Sequence, residues 1–136
     1  MFTHETTLRV RYAETDKMNY VYYGNYAQYY EVGRVEAMRA LGITYAWMEN
    51  ELQVMMPVMN ANIEYLRPAF YDDLLIIRTS IPLLPEREII FESVIVNEAG
   101  KVLNKGMIRL CFIDILTKKR IAIPDALLDK LIHYYG

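Results

Sequence analysis

The clearest helical pattern lies in the first third of the chain, from about Gly24 or Asn25 to Leu41. Apolar and small residues recur there every three or four positions, namely Tyr26, Tyr30, Gly33, Ala37 and Leu41. Gly42 follows the last of them, and glycine readily adopts the left-handed conformation that ends a helix. This stripe of aromatic and small side chains predicts a helix packed closely on a sheet. The later stretch "YAWMENE" predicts a short second helix.

Strand patterns occupy most of the remaining chain. One strand precedes the helix, from Thr6 to Tyr12, and four long strands follow it. The four are "VMMPVMNANIEYLRP", "DLLIIRTSIPLL", "REIIFESVIVN" and "KVLNKGMIRLCFIDI", with Pro68 and Pro85 ending the first two. The chain closes with "PDALLDKLIHYY", in which Pro124 suits the first turn of a peripheral helix. The pattern therefore predicts an α+β fold.

One of these strands is apolar on both faces. In "EIIFESVIV" the residues of one alternating set are Ile89, Phe91 and Ile95, and those of the other are Ile90, Val94 and Val96. A sheet buried on both faces needs two covers, and one long helix supplies only one of them. We therefore expect self-association to supply the second.

Composition places these elements in one globular domain covering residues 1–136. With 54% hydrophobic and 24% charged residues and a net charge of -2, the chain has no positive field that would collect nucleic acid. A single cysteine excludes an internal disulfide, and the first residues lack a signal-peptide pattern, so we expect a cytoplasmic protein. No apolar run approaches the roughly 20 residues that span a bilayer.

Several common catalytic devices are absent from the sequence. The only serines, Ser80 and Ser93, do not lie in a Gly-x-Ser-x-Gly turn, and the only histidines, His4 and His133, lie near the two ends. So few histidines and cysteines argue against a zinc site, and no Gly-rich phosphate loop is present. We therefore expect neither a metal nor a cofactor.

A carboxylate just ahead of the long helix remains as candidate chemistry. Asp16 lies nine residues before Asn25, close enough for a loop to fold it over the start of the helix. Helix N-termini carry unpaired N–H groups and partial positive charge, which stabilise an oxyanion. A carboxylate acts as a nucleophile or as a general base for water. Thioesters suit this arrangement, because a thiol with a pKa of roughly 8.5 leaves as thiolate with little acid assistance.

Three segments of the sequence carry a family resemblance. "DKMNYVYYGNYAQYYEVGR", from Asp16 to Arg34, is similar to the signature Asp-x-Met-Gly-His/Val-Val-Tyr-Tyr-x-Asn-Tyr followed by Glu-x-x-Arg. This is the signature of hotdog-fold acyl-CoA thioesterases of the 4-hydroxybenzoyl-CoA thioesterase type. "YLRPAFYDDLLIIRTSI" is similar to the family's Tyr-x-Arg-Pro-Ala-x-Tyr-x-Asp segment, and "FIDILTKKRIAIP" to its last strand. The segments stand in the family's order and together span nearly the whole chain.

The resemblance implies a fold and a set of roles. The fold is a five-stranded antiparallel sheet wrapped around the long helix, with sites formed between two subunits of a homodimer, often within a homotetramer. Asp16 is then the catalytic carboxylate, and the backbone N–H of Tyr23 polarises the thioester carbonyl. Asn25 and Tyr26 shape that end of the helix.

Two positions depart from the family pattern. Asn19 and Tyr20 stand where many members have Gly-His. Asparagine is the non-glycine residue that best tolerates a left-handed backbone, and Tyr20 can replace the hydrogen bond of the histidine but not its function as a base. Glu31 and Arg34, one helical turn apart, are interpreted as forming an intrahelical or a helix-to-sheet ion pair. Glu31 is also the alternative catalytic carboxylate, since some hotdog thioesterases carry theirs on the helix.

Substrate contacts are predicted from charge and aromatic character. Arg87 and the basic run Lys118, Lys119 and Arg120 are candidate partners for the phosphates of coenzyme A. The tyrosines between residues 20 and 30 are interpreted mainly as core and interface packing, with one or two lining an acyl pocket.

The sequence leaves three functions to compare. The first is an acyl-CoA thioester hydrolase that uses Asp16. The second is a hotdog protein that binds an acyl-CoA or an acyl-carrier-protein thioester without cleaving it. The third, a hotdog dehydratase, needs an interior histidine that the chain lacks. The acyl group and the choice between dimer and tetramer stay open.

Overall fold

In a computed structural model of the protein, which describes residues 1–136, the sheet has seven strands instead of the five predicted. All pairings are antiparallel. The strands are β1 (Phe2–Arg9), β2 (Val54–Met55), β3 (Val58–Tyr65), β4 (Leu74–Ile81), β5 (Glu88–Val96), β6 (Val102–Asp114) and β7 (Arg120–Ile121). The five long strands lie in the order β1-β4-β5-β6-β3.

The two additional strands are short and arise from the length of β6. This strand extends beyond the end of β3, and β2 continues the pairing on that side after the interruption at Pro57. On the other side β7 continues beyond the end of β5. The predicted strand "VMMPVMNANIEYLRP" is therefore divided in two by a proline, which has no N–H to donate to a ladder.

The long helix α1 (Asn25–Ala40) has the predicted bounds and packs on β1, β4 and β5. Gly42 ends it with a φ of 90°, as expected. A Cβ added at Gly33 would lie 2.6 Å from Oγ1 of Thr79 and 2.8 Å from Cγ2 of Ile77, so only glycine allows this approach of α1 to β4. The predicted close packing of helix on sheet is therefore confirmed.

Smaller elements differ in detail from the prediction. The first strand covers Phe2–Arg9 instead of Thr6 to Tyr12, because residues Tyr12–Glu14 form a 3-10 turn. Helix α2 (Tyr45–Trp47) continues as a π-helical turn, Met48–Leu52. None of the helices is long and apolar enough to cross a membrane.

The core lies between α1 and the sheet and is closed at one end by helix α3 (Asp125–Leu131). Leu127 and Leu131 are fully buried, so this helix is part of the core and not peripheral. On the opposite face of β5, Ile90 and Val94 are only half-buried. The second cover predicted from the apolar pattern is therefore not supplied by the chain itself.

Candidate active site

The segment that carries Asp16 is a small hairpin docked against the sheet. Thr15 pairs with Val21, and the N–H of Asp16 donates to the carbonyl of Tyr20 at 2.8 Å. The hairpin is fixed to the β3–β4 connection by the pairing of Tyr20 with Phe70. Its tip requires a left-handed residue, and Asn19 provides it with a φ of 66°. Asparagine thus replaces the glycine of the family pattern without disturbing the turn.

The carboxylate of Asp16 is held by one oxygen. Its Oδ1 accepts the backbone N–H of Met18 at 2.9 Å and that of Tyr20 at 3.3 Å. Its Oδ2 has no hydrogen-bond partner within the chain, and the residue is exposed. One oxygen therefore orients the group while the other remains available to a substrate carbonyl or a water.

The start of α1 supplies two unpaired backbone donors. The N–H groups of Asn25 and Tyr26 donate to the carbonyls of Tyr22 and Tyr23, at 2.9 and 3.2 Å. The N–H groups of Tyr23 and Gly24 have no acceptor within the chain. Unpaired N–H groups at a helix start are suited to an oxyanion. Gly24 was not predicted as a donor, because the resemblance drew attention only to Tyr23.

Asp16 and Tyr23 line the same open cleft, of about 370 Å³. Its other walls include Tyr20, Tyr22, Tyr26 and Tyr65, together with Leu66, Arg67 and Pro68. The aromatic rings meet edge to face or tilted, with centroids 6.3 Å apart for Tyr23 and Tyr65 and 5.5 Å for Tyr26 and Tyr65. The cleft combines an apolar wall with a carboxylate, which suits a polar reaction on an apolar acyl group.

The tyrosines divide into core and cleft residues. Tyr29 and Tyr30 are buried, and burial raises the pKa of each hydroxyl, so both remain protonated donors. Tyr26 is buried as well, but it also lines the cleft, and its hydroxyl accepts the N–H of Ala69 at 3.1 Å. Tyr22 and Tyr23 are exposed. Core packing therefore accounts for Tyr26, Tyr29 and Tyr30, whereas packing of the exposed tyrosines at a subunit interface stays a prediction.

Arg67 and Tyr65 were not predicted as cleft residues. Nη1 of Arg67 donates to the carbonyl of Val102 at 2.9 Å. It also brings positive charge to the cleft that holds Asp16. Both residues belong to the "YLRP" part of the family-like segment, which was the available signal.

The four predicted phosphate partners do not lie near Asp16. Arg120 pairs with Ile113 on β6, whereas the cleft residue Tyr65 pairs with Asn104. These two positions on β6 are separated by roughly 30 Å, at about 3.3 Å per residue. Within one chain, the basic residues and Asp16 therefore occupy opposite ends of the sheet.

Two of the four basic residues, Arg87 and Arg120, line a wide depression of about 730 Å³, whereas Lys118 and Lys119 do not line it. Arg120 is already paired with Glu88, at 3.0 Å, and Arg109 contacts the same carboxylate at 3.2 Å. The hydrogen bonds from Arg120 and Arg109 lower the pKa of Glu88. Arg87, Lys118 and Lys119 form no ion pair within the chain, so they are the freer cations of this set.

The predicted ion pair of Glu31 and Arg34 does not form. Glu31 is exposed, whereas Arg34 is buried and the two are not within ion-pairing distance. The helix turns Arg34 toward the sheet because it lies on the same face as Tyr30 and Ala37. Glu31 lines none of the cleft that contains Asp16, so the alternative carboxylate is not near Tyr23. No group of His, Cys, Asp and Glu side chains is arranged to hold a metal ion.

The chain matches known proteins along most of its length. Residues 10–131 match the family model of the thioesterase-like superfamily. The acyl-CoA thioester hydrolase YbgC of Escherichia coli O6:H1 is 31% identical over 120 residues, which cover 88% of this chain and 89% of that protein. The long-chain acyl-CoA thioesterase FadM of Escherichia coli K12 is 30% identical over 128 residues, covering 93% and 96%.

A solved structure confirms the fold. The DHNA-CoA thioesterase from Staphylococcus aureus superposes with a TM-score of 0.89 at 32% identity, over 98% of this chain and 89% of that one. The hotdog fold and the resemblance to acyl-CoA thioesterases are thereby confirmed, with seven strands in place of five. The acyl groups in the names of FadM and the Staphylococcus aureus enzyme differ, so the comparisons agree on the class of substrate and not on the acyl chain.

Proposed function

The chain belongs to the thioesterase-like superfamily, and we propose that it hydrolyses acyl-CoA thioesters with Asp16 as the reacting carboxylate. The observation that carries the proposal is the free Oδ2 of Asp16 in the cleft that Tyr23 also lines. A carboxylate with one oriented and one free oxygen, close to unpaired N–H groups, matches the needs of acyl transfer to water.

Two routes use the same geometry. In the first, Oδ2 of Asp16 attacks the carbonyl carbon, the C–S bond breaks, coenzyme A leaves as thiolate, and water then hydrolyses the mixed anhydride. In the second, Asp16 takes a proton from a water whose oxygen attacks the carbonyl, and the same C–S bond breaks. In both, the N–H of Tyr23 donates to the carbonyl oxygen as negative charge develops, and one water is consumed.

We further propose that the working unit is a dimer formed through β3. This edge strand is paired only with β6, and seven of its eight residues are exposed, among them Val58, Met59 and Tyr65. An exposed edge with apolar side chains is a template for a second strand. Antiparallel pairing of two β3 strands buries this edge and adds a wall beside Tyr65, where the cleft is open.

The same pairing accounts for the position of the basic residues. A two-fold axis through β3 places the Val58 end of one strand beside the Tyr65 end of its partner. Arg87, Lys118, Lys119 and Arg120 lie toward the end of the sheet where β3 begins at Val58. In this dimer the cations of each subunit contact the phosphates of coenzyme A in the cleft of the other subunit. Tyr20 and Tyr26, which line the cleft, contact the acyl side. Asn25 does not line the cleft, and its Nδ2 donates to the carbonyl of Glu14 at 2.9 Å. A pair of such dimers gives a tetramer.

The location of the reaction is part of the same proposal. Cys111 is free and buried, and acyl-CoA substrates are intracellular metabolites, so we place the enzyme in the cytoplasm.

Steady-state hydrolysis tests the proposal directly. The substrates are short, long and aromatic acyl-CoAs and one acyl-carrier-protein thioester, with release of free thiol as the readout. We expect turnover of at least one acyl-CoA and a loss in kcat of about 10²-fold or more for Asp16→Asn. The matched control is Asp129→Asn, an exposed carboxylate on α3, which we expect to keep the wild-type rate. Full activity of Asp16→Asn would refute the assignment, and tight binding without thiol release would identify a binding protein.

A further inference from the structure

The carboxylate of Glu14, which is buried, lies two residues before Asp16 and accepts four hydrogen bonds. Its Oε1 accepts the backbone N–H of Arg11 at 2.9 Å and the hydroxyl of Tyr29 at 2.8 Å. Its Oε2 accepts Nε and Nη2 of Arg11 at 3.2 and 2.8 Å. Both oxygens are thus fully used, which excludes Glu14 as a nucleophile and leaves it a purely positional task.

The backbone of the same residue binds the start of α1. The carbonyl of Glu14 accepts the N–H of Tyr22 at 2.9 Å and the Nδ2 of Asn25, also at 2.9 Å. Glu14 therefore contacts α1 twice, through its side chain at Tyr29 and through its carbonyl at Asn25. The hairpin that carries Asp16 begins one residue after Glu14. The unpaired N–H of Tyr23 comes one residue after Tyr22, whose own N–H is bound by Glu14.

We propose that Glu14 is the positioning residue of the reaction, which sets the place of the Asp16 carboxylate relative to the N–H groups at the start of α1. The inference rests on the proposed function. Its physical reason is that the backbone pairing of the hairpin at Asn19, Tyr20 and Val21 is with the β3–β4 connection, whereas Glu14 supplies hydrogen bonds to the helix. A buried carboxylate with four donors is a rigid anchor, because moving it would leave buried polar groups unpaired.

Glu14→Gln is the first variant, since glutamine keeps the shape and the acceptor for Tyr29 but loses the charge and the bonds from the Arg11 guanidinium. We expect kcat to fall by about 10- to 100-fold with KM changed by less than about threefold, because reacting groups misplaced by an ångström lose rates of that size. Tyr29→Phe removes one donor and is expected to cause a smaller loss of kcat. Circular dichroism and thermal melting establish that each variant is folded at the assay temperature.

A double-mutant cycle separates positioning from general damage to the fold. If Glu14 acts through Asp16, adding Glu14→Gln to Asp16→Asn lowers the residual rate by less than about threefold. If the two losses multiply in full, Glu14 does not act through Asp16 and the inference is wrong. The control is Glu5→Gln, which breaks an exposed ion pair with Arg78 between β1 and β4 and is expected to leave kcat unchanged.

A second variant covers the case in which Glu14→Gln does not fold. Arg11→Met removes Nε and Nη2 from a side chain that is 78% exposed, so Oε2 of Glu14 loses its partners. Oε1 keeps its donors, the N–H of residue 11 and the hydroxyl of Tyr29, so we expect this variant to fold. We expect the same selective loss of kcat, and full wild-type kcat in this folded variant would overturn the inference. If hydrolysis by the protein depends on Asp16 but on neither Glu14 nor Arg11, this inference is wrong and the proposed function stands. If the wild type hydrolyses no thioester, the proposed function itself is wrong.

Discussion

At the scale of single residues, Asn19 has the clearest conformational requirement. Its φ of 66° lies in the left-handed region, and its carbonyl accepts the N–H of Tyr71 at 3.2 Å. Alanine tolerates this left-handed backbone less well than asparagine does. We therefore expect Asn19→Ala to lower the free energy of unfolding by about 1 kcal/mol. Asn19→Gly is the matched control and is expected to be neutral or slightly stabilising. Urea unfolding measures both, and equal stabilities of the alanine and glycine variants would show that the turn is not strained.

The ionisation of Glu14 predicts a pH dependence of stability. Burial opposes its charge, but the hydrogen bonds from Arg11 and Tyr29 prevail and lower its pKa below the ordinary 4.5. A carboxylate with a lowered folded pKa stabilises the protein above the unfolded pKa, and this contribution is lost as pH falls through the folded pKa. As the pH is lowered from 6 to about 3, we therefore expect the free energy of unfolding to fall less for Glu14→Gln than for the wild type. Urea unfolding at several pH values checks this, with Glu98→Gln, in the exposed β5–β6 turn, as the variant that keeps the wild-type slope.

At the scale of elements, the contact of α1 with β4 depends on one glycine. Gly33→Ala brings a Cβ to within 2.8 Å of side-chain atoms of both Thr79 and Ile77, so we expect a loss of about 1–3 kcal/mol from overpacking. Gln28→Ala, exposed on the same helix, is the control and is expected to change stability by less than about 0.5 kcal/mol. The hydroxyl of Thr79 is buried without a partner, so Thr79→Ala in the Gly33→Ala background should recover part of the loss. Thermal unfolding of the four proteins measures it, and equal stability of Gly33→Ala and the wild type would disprove the close contact.

The elements also show what the sequence predicts and what it does not. Helix α1 and the four long strands after it were predictable, because each has a strong local period or a proline at its end. The two short strands β2 and β7 were not, because their pairing depends on how far β6 extends past its neighbours. Asp16 was predicted from its place ahead of the helix and from the family resemblance, whereas Glu14 was missed because an acid three residues after Arg11 has the pattern of an ordinary surface pair.

At the scale of the whole molecule, the basic residues and Asp16 lie at opposite ends of the sheet of one chain, so the proposed coenzyme A site needs residues from two chains. The position of a residue along β6 is known only from the register, so the sequence did not show which of the predicted site residues one chain can bring together. In the proposed dimer through β3, the two chains contribute different residues to each cleft.

Mixing two defective variants tests that arrangement. One variant is Asp16→Asn, and the other combines Arg87→Ala with Lys118→Ala, which leaves Asp16 intact but removes two free cations. A mixed dimer contains one cleft with both defects and one cleft with neither, if the cations come from the partner subunit. After equal mixing and random exchange of subunits, about a quarter of the clefts are therefore intact. We expect activity at low acyl-CoA concentration to rise above the mean of the two separate variants toward about a quarter of the wild type.

The outcome is decisive because a site built within one chain behaves differently on mixing. Every chain then carries one defect, so exchange of subunits leaves the mean of the two activities unchanged. Val58→Asp, added to both variants, places a charge on the β3 edge. We expect it to abolish the dimer, as measured by light scattering, and the gain on mixing, as measured by the rate of thioester hydrolysis. Ile132→Asp, an exposed apolar residue beyond α3, near β1 on the opposite edge of the sheet, is the matched control and should preserve both. A gain that survives in a monomeric Val58→Asp pair would show that the cations reach Asp16 by a route other than β3 pairing.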